Sequence, residues 1–331
     1  MSEQAVISII PAKAARWQDY VRLLKPRVMS LVVFTALTGL VCARVPMNPV
    51  LAVVAILCIA VGAGGSAALN MAYDADIDAL MRRTRARPVP SGRVQVADAR
   101  ALGITLSLFS VALMGLAANT LAAGLLAFTI FFYAVVYTVW LKRRTPQNIV
   151  IGGLAGALPP LIGWASASGT APLGAWLLVA IIFLWTPPHF WALSLYTQGD
   201  YAKARIPMMP VVKGPASTRR QILAYSLFLA PLGVAPAFMG LGGGLYLAVA
   251  AVGGAGFVAL AARLAASRAG DAKADGREDL SESLYDVATA AKPARDLFAF
   301  SILYLFSLFA TLLVERMLAV APLTAAWGPH A

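Results

Sequence analysis

Charge is what this sequence has least of. Only 13% of its 331 residues are Asp, Glu, Lys or Arg, and 60% are hydrophobic. A soluble domain carries about 25% charged and about 45–50% apolar residues, so a soluble globular chain is excluded. Cysteine is nearly absent: Cys42 and Cys58 both lie in apolar stretches. That rules out a disulfide scaffold and a Cys-rich zinc site. The N-terminus lacks a short apolar core followed by a small-residue cleavage site, and Glu3 and Asp19 speak against an Arg/Ser-rich transit peptide. The first apolar run therefore reads as a retained span. The net charge is +12, yet no basic helix or aromatic-basic stripe accompanies it, so a nucleic-acid partner is not expected.

What the chain has instead is long apolar runs. A spanning helix needs about 20 apolar residues, and nine candidates are found near 28–46, 50–70, 100–118, 120–140, 147–168, 174–196, 219–240, 243–263 and 296–316. The cations sort between the connections. One set of loops holds 25 of the 27 Lys and Arg residues; the other holds only Arg44 and Arg316. The positive-inside rule then places the N-terminus in the cytoplasm and the C-terminus on the opposite face. The expected organisation is a cytoplasmic segment 1–27, a membrane domain 28–316 with cytoplasmic loops 71–99 and 197–218, and a tail 317–331. The connection 264–295 is mixed in charge and long enough for a short surface helix. Gly152 and Gly156 form a small-x-x-x-small pair that suggests close helix packing.

A weak internal repeat links the two cytoplasmic loops. Shifting by 122 residues places Asp78 on Asp200, Pro88 on Pro210 and Gly92 on Gly214, with Tyr196 opposite Asp74. Four spans separate the copies, so the repeat is parallel and both loops lie on one face.

The first of these loops carries the chemistry. Asn70, Asp74 and Asp78 recur every four residues, so on a helix they lie along one face. Carboxylates at i and i+4 repel, and a hard divalent ion such as Mg²⁺, which takes oxygen ligands and shares them with phosphates, would offset this. The alternative is a solvated helix end neutralised by Arg82, Arg83 and Arg87. Asp76 falls about 200° from the Asn70 row and is read as solvated or paired to an arginine.

Asn70-x-x-x-Asp74-x-x-x-Asp78, followed by Arg83-Thr-x-x-Arg87-Pro88, resembles the membrane-embedded aromatic prenyltransferase superfamily of the UbiA type. The resemblance implies an all-α integral membrane fold of nine transmembrane helices in a ring around a central cavity, two four-helix repeats plus one. It implies that Asn70, Asp74 and Asp78 hold Mg²⁺ on a prenyl diphosphate, with Arg83 and Arg87 facing the diphosphate. Many members have Asp-x-x-x-Asp in the second loop. Here Tyr196 and Asp200 stand at that spacing, leaving Asp200 as the single carboxylate expected to join the metal site and Tyr196 as a substrate-binding residue.

Trp185-Thr-Pro187-Pro188-His189-Phe190, Asp200-Tyr201, Pro207-Met-Met-Pro210, Lys25-Pro26-Arg27 and the run Lys142-Arg143-Arg144-Thr145 through Gly152-Gly153 resemble the haem-farnesylating branch of that superfamily. The substrates so implied are farnesyl diphosphate and haem B, giving haem O, in the inner membrane of a bacterium, with a haem A synthase as a possible partner. The implied reaction is ionisation of the allylic diphosphate, attack by a haem vinyl group and addition of water; it needs no Ser/His/Asp constellation. His189 is open to two readings: a hydrogen bond to a carbonyl freed by the adjacent prolines, or contact with haem as an iron ligand or orienting group. Lys142 and Arg143, and likewise Lys25 and Arg27, are open to two as well: membrane anchors, or contacts to diphosphate or haem propionates. Another prenyltransferase acting on an aromatic or quinone-precursor acceptor is the nearest alternative. A transporter built from two repeats would place its charges near mid-membrane, where only His189 lies.

Overall fold

The computed structural model describes residues 15–271 and 287–324. Most of the central stretch of the 264–295 connection, the N-terminal residues through 14, the end of the C-terminal tail and His330 lie outside the described residues. Among the described residues every regular element is helical. Eight helices are long and apolar enough to cross a membrane, and a ninth span follows if the bent pair Trp17–Leu23 and Pro26–Cys42 is one. In chain order the spans are Pro26–Cys42, Pro49–Tyr73, Val96–Ala117, Thr120–Leu141, Asn148–Ser168, Leu173–Tyr196, Pro215–Phe238, Gly244–Ala265 and Lys292–Met317. These match the nine apolar runs of the sequence.

Helix starts follow local chemistry. Proline opens the first, second and seventh spans, where its missing N–H costs nothing and its φ is already helical. Asn48 and Asn119 accept from Val50 N and Ala122 N at 2.9 Å, capping the second and fourth spans. Asn119 also donates to Ala165 O, tying the fourth span to the fifth.

Successive spans pack side by side, and the ninth lies against the first, closing a ring. The first span also packs on the fifth, and the sixth on the ninth. A Cβ on Gly163 would fall 2.0 Å from Ala36 O, and one on Gly39 the same distance from Pro160 O. Backbones touch there, so the ring is filled toward its loop-poor face. The pair suggested by sequence is only half used. A Cβ on Gly152 would meet the Tyr137 ring at 2.2 Å, whereas Gly156 faces open space. Gly153, with Thr186 against it, is the second close contact.

The two exceptions to the charge asymmetry have structural work. Arg44 and Arg316 both donate to Gly240 O, at 2.5 and 3.1 Å. Arg316 also donates to Leu241 O. Buried Glu315 accepts from Gly243 N and Tyr246 N. Together they fasten the turn between the seventh and eighth spans with charge-assisted bonds to its open backbone groups.

The repeat is visible on the loop-rich face. The second span runs into a short helix Ala75–Leu80, and the sixth into Gln198–Lys203. Gly92 and Gly214, matched by the 122-residue shift, both take positive φ, 73° and 80°. Each turns the chain ahead of the next span in a conformation open mainly to glycine. A small apolar cluster of Ile77, Met81, Ile149, Tyr201, Ala204, Ile206 and Met208 joins the two loops apart from the main core.

Candidate functional site

Asn70, Asp74 and Asp78 are buried, at 4%, 0% and 1% exposure. The second span ends at Tyr73 and a new short helix begins at Ala75, so the row is not on one unbroken helix. The face is nevertheless kept. Asp74 N donates to Asn70 O at 2.9 Å and Asp78 N to Asp74 O at 2.8 Å, continuing the i to i+4 register across the break. Thr84 Oγ1 donates to Asp78 O at 2.8 Å, holding the following turn against the row.

Four cations reach the row from three places. Lys25 Nζ donates to Asn70 Oδ1 at 2.8 Å. Lys142 Nζ donates to Asp74 Oδ2. Arg87 Nη1 donates to Asp78 Oδ2 at 2.7 Å. The Asn70 amide donates in turn to Asp74 Oδ2 at 2.8 Å and to Thr138 Oγ1 at 3.1 Å. This fixes its orientation, since a flipped amide would set its oxygen against a carboxylate and its NH₂ against an ammonium. Arg143 Nη2 stands 3.5 Å from Asp74 Oδ1 and grips Asp76 with two bonds of 2.7 Å. Asp76 is thus paired with an arginine, and this hydrogen bond holds its carboxyl below the usual aspartate range.

The fourth span explains how Thr138 and Lys142 arrive together. From Phe132 to Leu141 it widens into a π-helix, a form often found at functional sites. Thr138 Oγ1 donates to Tyr133 O and Lys142 directly follows the widened segment. Neither Thr138 nor the direct contact of Lys25 was visible from spacing: both partners come from far along the chain.

Two carboxylate oxygens are left over. Asp74 Oδ1 and Asp78 Oδ1 are buried and accept no hydrogen bond. Buried polar atoms are nearly always partnered, so these two, four residues apart on one face, fit a hard cation with oxygen preference. Asp200 does not join them. It is half-buried on the short helix Gln198–Lys203, and among the described residues no group of three or more His, Cys, Asp or Glu has metal-holding geometry. Arg83 donates to Tyr201 OH at 3.3 Å, next to Asp200 in the chain. Arg83 therefore connects the two loops, and Tyr201, unnoticed in the sequence except beside Asp200, is its partner.

His189 lies in a separate patch between the sixth and ninth spans. It is buried, stacked on Trp185 at 4.2 Å and Phe298 at 4.7 Å, with Phe190 edge-on. Its Nδ1 lies 2.6 Å from Ser301 Oγ. Ser301 spends its only proton on Phe298 O, at 2.6 Å. With that proton on the carbonyl, Nδ1 donates to Ser301 Oγ and Nε2 carries the open lone pair. The expected bond to a carbonyl of the same helix is not the one formed; a hydroxyl from the ninth span takes its place. Tyr196, at the end of the sixth span, meets Phe298 edge-on at 6.3 Å, extending this aromatic line toward the loop-rich face.

A family model described as the UbiA prenyltransferase family matches residues 32–277. A protein of Caulobacter vibrioides named protoheme IX farnesyltransferase is 66% identical over 317 residues, covering 94% of this chain and 95% of its own length. Among solved structures, a digeranylgeranylglyceryl phosphate synthase superposes with a TM-score of 0.70 at 16% identity, over 90% of this chain and 98% of its own. A UbiA homologue from Archaeoglobus fulgidus, bound to DMAPP and Mg²⁺, superposes with a TM-score of 0.59 at 17% identity, over 88% and 99%. At such identities the two structures show a shared fold.

Proposed function

The chain belongs to the UbiA prenyltransferase family and transfers a farnesyl group to protohaem IX, giving haem O; from this premise we propose which of its residues carry the transfer. The observation that supports the assignment is the pair of buried oxygens that accept no hydrogen bond, Asp74 Oδ1 and Asp78 Oδ1, set among cations. With Asn70 Oδ1 they would hold Mg²⁺, the ion bound with DMAPP in the Archaeoglobus homologue. When bound, Mg²⁺ would act as a Lewis acid on the diphosphate oxygens.

The chain's own part is electrostatic. Arg87, Lys142 and Arg143 surround Asp74 and Asp78, and Arg83 reaches in from the side. Their charges neutralise the negative charge that grows on the diphosphate as the allylic C–O bond breaks. The row lies at the membrane end of the second span, so the isoprenoid chain extends into the apolar ring. There bulk water is kept from the allylic cation until the vinyl group attacks. Tyr201, beside Asp200, orients Arg83 through its hydroxyl. His189, its ring fixed between Trp185 and Phe298 and its Nδ1 against Ser301, is the haem-facing group, and Tyr196 borders the same line of rings.

The loop-rich face, with 25 of 27 cations, is the cytoplasmic face of a bacterial inner membrane; the C-terminus lies opposite. The segment ahead of the first span, the nine-span body and the tail form one functional unit. A haem A synthase is the natural recipient of the product, because a farnesylated haem is poorly soluble in water.

The deciding experiment supplies membranes containing the chain with haem B, farnesyl diphosphate and Mg²⁺, and weighs the extracted haems. A mass gain of one farnesyl plus one water, lost in an Asp74→Ala, Asp78→Ala variant, supports the assignment. Transfer to an aromatic acid instead of haem would overturn the acceptor. Full activity in the variant would overturn the site.

A further inference from the structure

The three members of the row are not equally open to a cation. Asp74 and Asp78 each give one oxygen to a basic side chain and keep one buried oxygen that accepts no hydrogen bond, with Arg143 Nη2 3.5 Å from that of Asp74. Asn70 has a single oxygen, and the Lys25 ammonium occupies it. A metal can therefore reach the two carboxylates as they stand, whereas on the remaining lone pair of the amide oxygen it would sit beside the Lys25 ammonium and be repelled until Lys25 moves aside.

Lys25 is brought there by a built arm. The helix Trp17–Leu23 precedes it, bent 49° from the first span. Asp19 on that helix accepts from Arg93 Nε at 3.0 Å. Leu23 is fully buried beside Met71 and Ala72, the neighbours of the row. Leu24 packs where Gly64 leaves no side chain. Lys25 itself takes a left-handed backbone, φ 52° and ψ 59°, which a non-glycine residue adopts at a cost. A membrane anchor would need none of this. Arg87, Lys142 and Arg143 stand against Asp74, Asp76 and Asp78 around Lys25, so a diphosphate entering here meets basic side chains that can turn to it.

We propose that Lys25 is a positioning residue that holds Asn70 Oδ1 until a diphosphate draws its ammonium away, so that metal and prenyl diphosphate bind as a cooperative pair. This rests on the site reading above. Metal alone must leave a buried ammonium without its partner. Diphosphate alone pulls Lys25 from Asn70. When both bind, the displacement is made once and serves both. By linkage each ligand tightens the other by the same factor.

The test uses solubilised full-length protein, Mn²⁺ followed by electron paramagnetic resonance, and farnesyl S-thiolodiphosphate as the uncleaved donor. In the wild type the analogue should tighten Mn²⁺ on the order of tenfold or more. In Lys25→Met, and in Lys25→Gln as a second variant, Mn²⁺ alone should bind several-fold tighter and the coupling should shrink toward one. A gain in metal affinity is a sign that a merely structural role would not produce. Removing a nearby charge also favours a metal, so the cycle is repeated in Asn70→Ala. There the effect of Lys25→Met should vanish if it acts through the amide. An effect of the same size in Asn70→Ala, or none in the wild-type background, would overturn the proposal while leaving the metal site standing. Failure of Mn²⁺ to bind even with the analogue, or binding that survives Asp74→Asn with Asp78→Asn, would overturn both.

Discussion

The Arg87–Asp78 pair gives the sharpest stability test. Asp78 is 1% exposed and one of its oxygens already lacks a partner; the other takes Arg87 Nη1 at 2.7 Å. Arg87→Met keeps the stem and removes the charge. Breaking a buried pair by deleting one partner costs about 3–5 kcal/mol, because the remaining charge is stranded. The Arg87 side chain is 30% exposed, so solvent recovers part of this, and about 2–3 kcal/mol is expected. Asp78→Asn alone loses a charge-assisted bond but strands no anion, and should cost on the order of 1 kcal/mol. The double variant should therefore be more stable than Arg87→Met alone, with an interaction energy of about 1–2 kcal/mol. Equilibrium unfolding in mixed micelles measures all four corners of the cycle. A cost below about 0.5 kcal/mol for Arg87→Met, or strict additivity, would show that Asp78 is not held as a buried charge, and the electrostatic account of the site would fall with it.

Other outcomes follow from the same geometry. Gly163→Ala sets a methyl 2.0 Å from Ala36 O and should destabilise by about 1–3 kcal/mol or more, read as a lower melting temperature, while Gly156→Ala, with open space around it, should leave it unchanged. Ser301→Ala takes the acceptor from the buried His189 Nδ1–H and should cost about 1–3 kcal/mol; haem binding, followed by its absorption band, should weaken more than farnesyl diphosphate binding. Asp76 is depressed below its usual pKa by Arg143. Its contribution is therefore present above the unfolded aspartate value, near 4, and fades only as pH falls below that. Asp76→Asn should leave the pH profile of transfer unaltered from pH 5 to 9, and a displaced profile would refute its assignment as a bystander.

The periodic parts of this protein were legible in the sequence because membrane thickness imposes them. All nine apolar runs appear as helices, since in hydrocarbon a spanning backbone must satisfy its own hydrogen bonds. The row Asn70, Asp74, Asp78 was legible for the same kind of reason: a four-residue spacing stays on one face even where the helix breaks at Asp74. Gly152 and Gly156 show the limit. The spacing is correct for packing, but only Gly152 meets a neighbour, because the break at Leu158 and Pro159 lets the following helix, not Gly156, make the approach to the first span.

What spacing could not reveal is convergence. Lys25 meets Asn70 across 45 positions, Lys142 meets Asp74 across 68, and Ser301 meets His189 across 112. A lysine at the start of a span reads equally as an anchor or as a substrate contact, with nothing to name the residue it meets, and a serine in an apolar helix looks like filler. The two functions are not exclusive. A cation at the membrane boundary is already in the plane where a helix ends and where a carboxylate row at that end needs a counter-ion. The positive-inside rule thus supplies cations to the face on which the acids stand, and the fold needs only to turn a few of them inward. Arg27, exposed on the first span, is left outward; Lys25, two residues earlier with a left-handed backbone, is turned in. The difference between anchor and active-site cation is here one residue's φ, which is why composition located the charged face and only the structure separated the residues on it.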